Sequence, residues 1–139
     1  MLKRNEGFSL IELLVVVSVI GIIAVLAVPA LRKAMIAAEN GNTFATMRTI
    51  SSTQMGFYTT NSRFGRLNEV NNLLSSSLGA TSGNQLSRGK YTFEMTPAAP
   101  TDAELKDGFT IRATRSVASE GVTYQYELTQ GGEIRQILP

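Results

Sequence analysis

The 139-residue chain contains no cysteine and no histidine, and its only aspartates are Asp102 and Asp107. Without cysteine there can be no disulfide and no thiol nucleophile, and without histidine the commonest general base and the commonest zinc ligand are both missing. The acidic trio Asp102, Glu104 and Asp107 is the one grouping that suggests a cation. Its spacing matches no standard calcium loop, so a solvated turn is expected there, with no metal and no other cofactor. The glycines are dispersed and form no phosphate-cradling loop. Charge is nearly balanced at +2, the arginines are scattered, and no nucleic-acid binding is expected. These absences argue against an enzyme and leave binding or structural roles.

What the chain does have is a long apolar run. Leu13 to Leu31 is 19 consecutive residues without a charge, and about 20 apolar residues are what a helix needs to cross ~30 Å of hydrocarbon. Arg32 and Lys33 follow at once and fit a headgroup contact at the membrane boundary. A secretory signal peptide with cleavage near Val28-Pro29-Ala30 is one reading. Against it, the apolar core is longer than the usual ~7–15 residues and Glu12 interrupts its front. A plain uncleaved anchor is another. Neither explains Glu12, because a carboxylate at the centre of a bilayer costs roughly 2.5–3.5 kcal/mol on insertion scales, and less near the edge. A partner for this charge is therefore expected.

The stretch Gly7-Phe8-Ser9-Leu10-Ile11-Glu12-Leu13, preceded by the short basic leader Met1 to Glu6, resembles the start of type IV pilins and type II secretion pseudopilins. The resemblance covers about 25 residues; the rest of the chain is similar only in layout. It implies cleavage by prepilin peptidase between Gly7 and Phe8 and N-methylation of the freed Phe8. It also implies polymerisation through the first helix into a helical homo-oligomeric filament, with the help of an inner-membrane assembly machinery. The precursor would reside among inner-membrane lipids and the product in an extracellular pilus or a periplasmic pseudopilus. Glu12 would set register by meeting the Phe8 amine of a neighbouring subunit. Removing the leader would leave 11 basic and 10 acidic side chains.

Pro29 lacks an N–H and its ring crowds the carbonyl of Val25, so a kink or opening is expected there. Gly21 is a second weak point, and the β-branched residues between them gain little from a helix. The resemblance implies that Gly21 to Pro29 unwinds in assembled fibres. Many pilins close a C-terminal loop with a disulfide; this chain cannot. Nor does it suit a conducting aromatic core, since Phe8 and the next aromatic, Phe44, would lie ~54 Å apart on a continuous helix.

Beyond Arg32 the chain stays helix-compatible to about Tyr58, with Phe44, Met47, Ile50 and Phe57 on one face and Asn40, Asn42, Thr49 and Ser52 on the other. Asn61 to Lys90 reads as a connection with one short helix through Leu67, Val70 and Leu74. Period-two alternation then predicts strands at Tyr91 to Met95, Phe109 to Thr114 and Val122 to Leu128, and a fourth at Glu133 to Ile137 after the Gly131-Gly132 turn. Pro97 to Lys106 and Ser116 to Gly121 read as loops. Phe93, Ile111, Tyr124 and Tyr126 should face inward. The fold expected is α+β: a long N-terminal helix, membrane-spanning first and amphipathic second, packed on a three- or four-stranded antiparallel sheet. The divisions expected are a leader at 1–7, a membrane or fibre-core helix at 8–33 and a globular head at 34–139. The alternatives kept open are a pseudopilin and a membrane-anchored binding module.

Mass spectrometry of the mature protein should find Phe8, methylated, at the N-terminus. A mature start near Leu31 would instead establish the signal-peptide reading.

Overall fold

The computed structural model describes residues 7–118 and 121–139. Most of the expected leader and the centre of the Ser116 to Gly121 connection lie outside the described residues. Two compact units result, one up to Ala38 and one from Glu39 to Pro139. Helix α1 runs from Leu10 to Asn61 and keeps its helical assignment through Gly21 and Pro29. From Leu10 to Met35 its apolar side chains are all exposed, from Val28 at 48% to Leu10 at 80%, and Ile36 is half-buried. Ser18, the one hydroxyl among them, donates to the Leu14 carbonyl at 2.8 Å, a back-bond common to serines within helices.

The second unit is an antiparallel meander covered by the C-terminal part of α1. Its strands are β1 (Ala80–Ser82), β2 (Gln85–Arg88), β3 (Tyr91–Met95), β4 (Thr110–Val117), β5 (Val122–Thr129) and β6 (Ile134–Leu138), each paired with the next in chain order. Short helices α2 (Leu67–Leu73) and α3 (Glu104–Asp107) lie in the connections. The sheet thus has six strands where three or four were expected. The two additional ones are short and polar, with Leu86 as their one buried side chain, so they carry no alternation to read. They are joined at Gly83, whose φ of +58° suits glycine in a tight turn. α3 likewise overlaps the end of the Pro97 to Lys106 stretch read as loop.

Period-two alternation did set the faces. Phe93, Ile111 and Ala113 are fully buried, Tyr126 is nearly so, and Tyr124 packs partly buried against the same core. Met47 and Ile50 of α1 complete it from the helix side, and Phe44 stacks obliquely on Tyr126 at 4.7 Å between centroids. On the outer face Arg112 and Glu127, opposite each other in register, are bridged at 3.0 Å. One helix residue sits on the unexpected side. Asn40 faces the sheet rather than solvent, because its Oδ1 accepts from the Tyr91 hydroxyl at 2.6 Å. Burial pushes the Tyr91 phenol above its usual range, which keeps it protonated and a donor.

The turn after α1 is held by charge. Glu69 takes two hydrogen bonds from the Arg63 guanidinium, at 2.9 and 2.8 Å, and one from the Arg66 backbone N–H at 2.8 Å. Arg63 also lies over the Phe57 ring at 5.3 Å. The Arg63 bonds hold the Glu69 carboxyl below its ordinary range, with the Arg66 N–H adding to the effect. A depressed folded-state pKa means the stabilisation is present above the unfolded value of about 4.3 and is lost as pH falls through the folded one. Glu69→Gln should therefore cost about 1–2 kcal/mol at pH 7. In urea titrations the gap between variant and native chain should be smaller in acid, where Glu69 is protonated, than at pH 7. A gap of the same size at both pH values would show that the charge is not what holds this turn.

Candidate functional site

The chemistry-bearing residues of the first unit follow from its N-terminus. Ser9 immediately precedes α1, and its carbonyl accepts the first helical bond, from Leu13 N–H at 3.2 Å. Three residues on, the Glu12 carboxylate reaches back to the Ser9 N–H at 3.0 Å. This is one arm of a capping box, in which an acidic side chain in the first turn satisfies an amide that the helix leaves without a partner. The negative charge is also well placed against the positive end of the helix dipole. The Ser9-x-x-Glu12 spacing was a readable signal for this contact.

Gly7 and Phe8 lie just outside the helix and are exposed, Phe8 at 87%. An accessible segment outside regular structure is open to a peptidase. Gly21 is helical with open space around the position a Cβ would take, so no packing within the chain demands a glycine there. Pro29, which must leave the Val25 carbonyl without its helical partner, is also in helical conformation. Gly7, Phe8 and Glu12 are therefore brought together at one helix end, while Gly21 and Pro29 lie further along the same exposed apolar surface.

In the second unit the acidic trio does not converge. Asp102 is drawn to Arg66 at 2.6 Å and toward Arg63 at 3.7 Å, and Glu104 accepts from the Thr101 N–H and hydroxyl, both at 2.8 Å. Among the described residues no group of three potential ligands gathers around a point. A concavity of about 560 Å³ lies on the outer face of the sheet, lined by Thr92, Glu94, Arg112, Thr114, Ser116 and Gln125 among others. Within it Gln125 donates to the Thr114 hydroxyl at 3.0 Å.

Residues 2–28 match the prokaryotic N-terminal methylation motif. A search of curated proteins finds no match to the chain. The motif together with the long apolar helix fits a type IV pilin-like prepilin, and by length and composition that helix can cross a membrane.

If Glu12 caps α1, Glu12→Gln should keep the first turn, since its amide oxygen still accepts from Ser9, whereas Glu12→Ala should fray it. Hydrogen exchange of the amides of Leu10 to Leu13 in the detergent-solubilised chain would show this as faster exchange in the alanine variant by about fivefold, the equivalent of a cap worth ~1 kcal/mol. Equal rates would remove the capping role.

Proposed function

We propose that the chain is the precursor of a filament subunit of the type IV pilus kind. It is inserted in the inner membrane, cleaved between Gly7 and Phe8, methylated at Phe8, and polymerised through α1 without any catalytic activity of its own. The observation that carries this reading is a bare helical surface from Leu10 to Leu31 with a single carboxylate, Glu12, one turn from the scissile bond. Cleavage frees an amine next to that carboxylate. In parallel helices offset along their axes, the amine of one subunit can meet Glu12 of the next. A correctly registered pair compensates both charges, and a misregistered one leaves two charges alone in an apolar core.

The same first helix suits a pseudopilin of a type II secretion system. In favour of a pilus subunit, the chain after Ser116 carries no aspartate and so offers little to an acidic calcium loop. Having Glu12 favours a major subunit over a minor one. Unwinding of Gly21 to Pro29 would follow assembly, because freed backbone groups at that depth are tolerated only when protein encloses them.

Glu12→Val should leave insertion and cleavage intact and reduce surface filaments about tenfold or more, since breaking a buried pair costs about 3–5 kcal/mol. Glu12→Gln should assemble partially. Normal filament number and length from processed Glu12→Val protein would remove the register-setting role. If in addition a fragment from Ala34 onward bound an external ligand, the anchored binding module would replace the pilus reading.

A further inference from the structure

The stripe that α1 presents to the sheet nearly repeats every three residues. Phe44, Met47 and Ile50 form one row and Thr43 and Thr46 another, and all but the half-buried Phe44 are fully or almost fully buried. Sliding α1 by three residues is a shift of about 4.5 Å with a rotation of about 60°. It would put Phe44 in the place of Met47, Met47 in the place of Ile50, and Thr43 in the place of Thr46. Exchanges of this size between apolar side chains are tolerated, methionine being the most adaptable. Packing of these rows against the sheet therefore discriminates weakly between the observed register and its slipped neighbour; Phe57, beyond them, packs on the connection at Gly65.

Three polar contacts discriminate strongly. Arg115, only 6% exposed on β4, pairs with Glu39, which also takes Lys90 at 3.3 Å. The Tyr91 hydroxyl donates to Asn40 at 2.6 Å. Gln54, fully buried, both donates to the Gly65 carbonyl and accepts from the Gly65 N–H, each at 2.7 Å, which ties the chain leaving α1 back onto the helix. In the slipped register Ile36 would face Arg115, Ala37 would face Tyr91, and Ser51, too short to reach twice, would face Gly65. A buried guanidinium, a phenol and two backbone groups would all lose their partners.

We propose that Glu39–Arg115, Asn40–Tyr91 and Gln54–Gly65 act together as a polar key that selects one register of α1 on the sheet, rather than as a source of stability. Buried polar groups that choose a register while adding little to stability are known from helical assemblies. The key determines which turn of α1 is the last one covered by the sheet. On the reading of α1 as a fibre-forming helix, it thereby sets how much helix each subunit offers its neighbours, and that consequence alone rests on the proposed function.

The absence of cysteine makes the test direct. Nitroxide labels at Ala45→Cys on the exposed side of α1 and Ser87→Cys on β2 report the register by double electron–electron resonance in the full chain in detergent micelles. The native sequence should give one distance. Glu39→Leu combined with Arg115→Leu should leave the domain folded, with cooperative unfolding, and add a second distance shifted by several ångströms, consistent with a ~4.5 Å slide. Adding Gln54→Met should enlarge that second population. A folded double variant with a single unchanged distance would overturn the proposal, since packing would then suffice. A double variant that fails to fold would overturn it as well, because the ion pair would then be a stability element. Should only the Gln54 variant fail to fold, the distances in the double variant decide.

Discussion

Fifteen leucine, isoleucine and valine side chains between Leu10 and Leu31 are open to their surroundings. Fully burying one such side chain is worth roughly 1.5–3 kcal/mol. Even at half that value the sum, roughly 11–22 kcal/mol, is comparable to or larger than the ~5–15 kcal/mol that holds a small domain together. No rearrangement within the second unit could cover such a surface, because that unit already has its own filled core of Met47, Ile50, Phe93, Ile111 and Leu128. The apolar surface must be satisfied by lipid or by other chains, and a helix is the form in which its backbone needs nothing further from either. Everything else in the molecule is consistent with a helix that has two successive environments.

Glu12 takes its meaning from this constraint. In the uncleaved chain the carboxylate has a local partner, the Ser9 N–H, and it completes the helix end. The capping contact and the proposed contact between subunits use the same oxygen atoms at the same helix end. Cleavage after Gly7 would place a charged amine beside a carboxylate that until then faced only a neutral amide. On the proposed function a cap and an intermolecular partner would be successive uses of one group, and the pull toward an ammonium would be the stronger of the two.

From Glu39 onward the physics changes. Apolar area supplies the bulk of the cohesion between α1 and the sheet, yet its three-residue near-repeat leaves the axial position loosely specified. Polar groups with no freedom to choose another partner restrict it: the Arg115 guanidinium, the Tyr91 hydroxyl and the Gly65 backbone. The outer face of the sheet follows different rules. There Glu94, Arg112, Glu127 and Arg135 stand in register across four strands with alternating sign, a neutral ladder that water can solvate.

The order of residues by itself determined the elements whose signal is periodic or additive. The uncharged run to Leu31 needs only length to identify it, and the inward set Phe93, Ile111, Tyr124 and Tyr126 needs only the two-residue period of a strand. The Gly7-Phe8 junction and Glu12 are proposed on the same footing, from a local pattern at one helix end. Strands β1 and β2 were not legible, since with Leu86 alone buried they join the sheet by pairing, β2 with β3 and β1 with β2, rather than by their own composition. Asn40 was misassigned to the polar face because its partner, Tyr91, is distant in sequence, and helical periodicity carries no information about a hydroxyl arriving from a strand. The Glu39–Arg115 pair was invisible for the same reason. Tertiary structure decided these contacts because a buried polar group is placed by what satisfies it, and in this chain the satisfying groups come from far along the sequence.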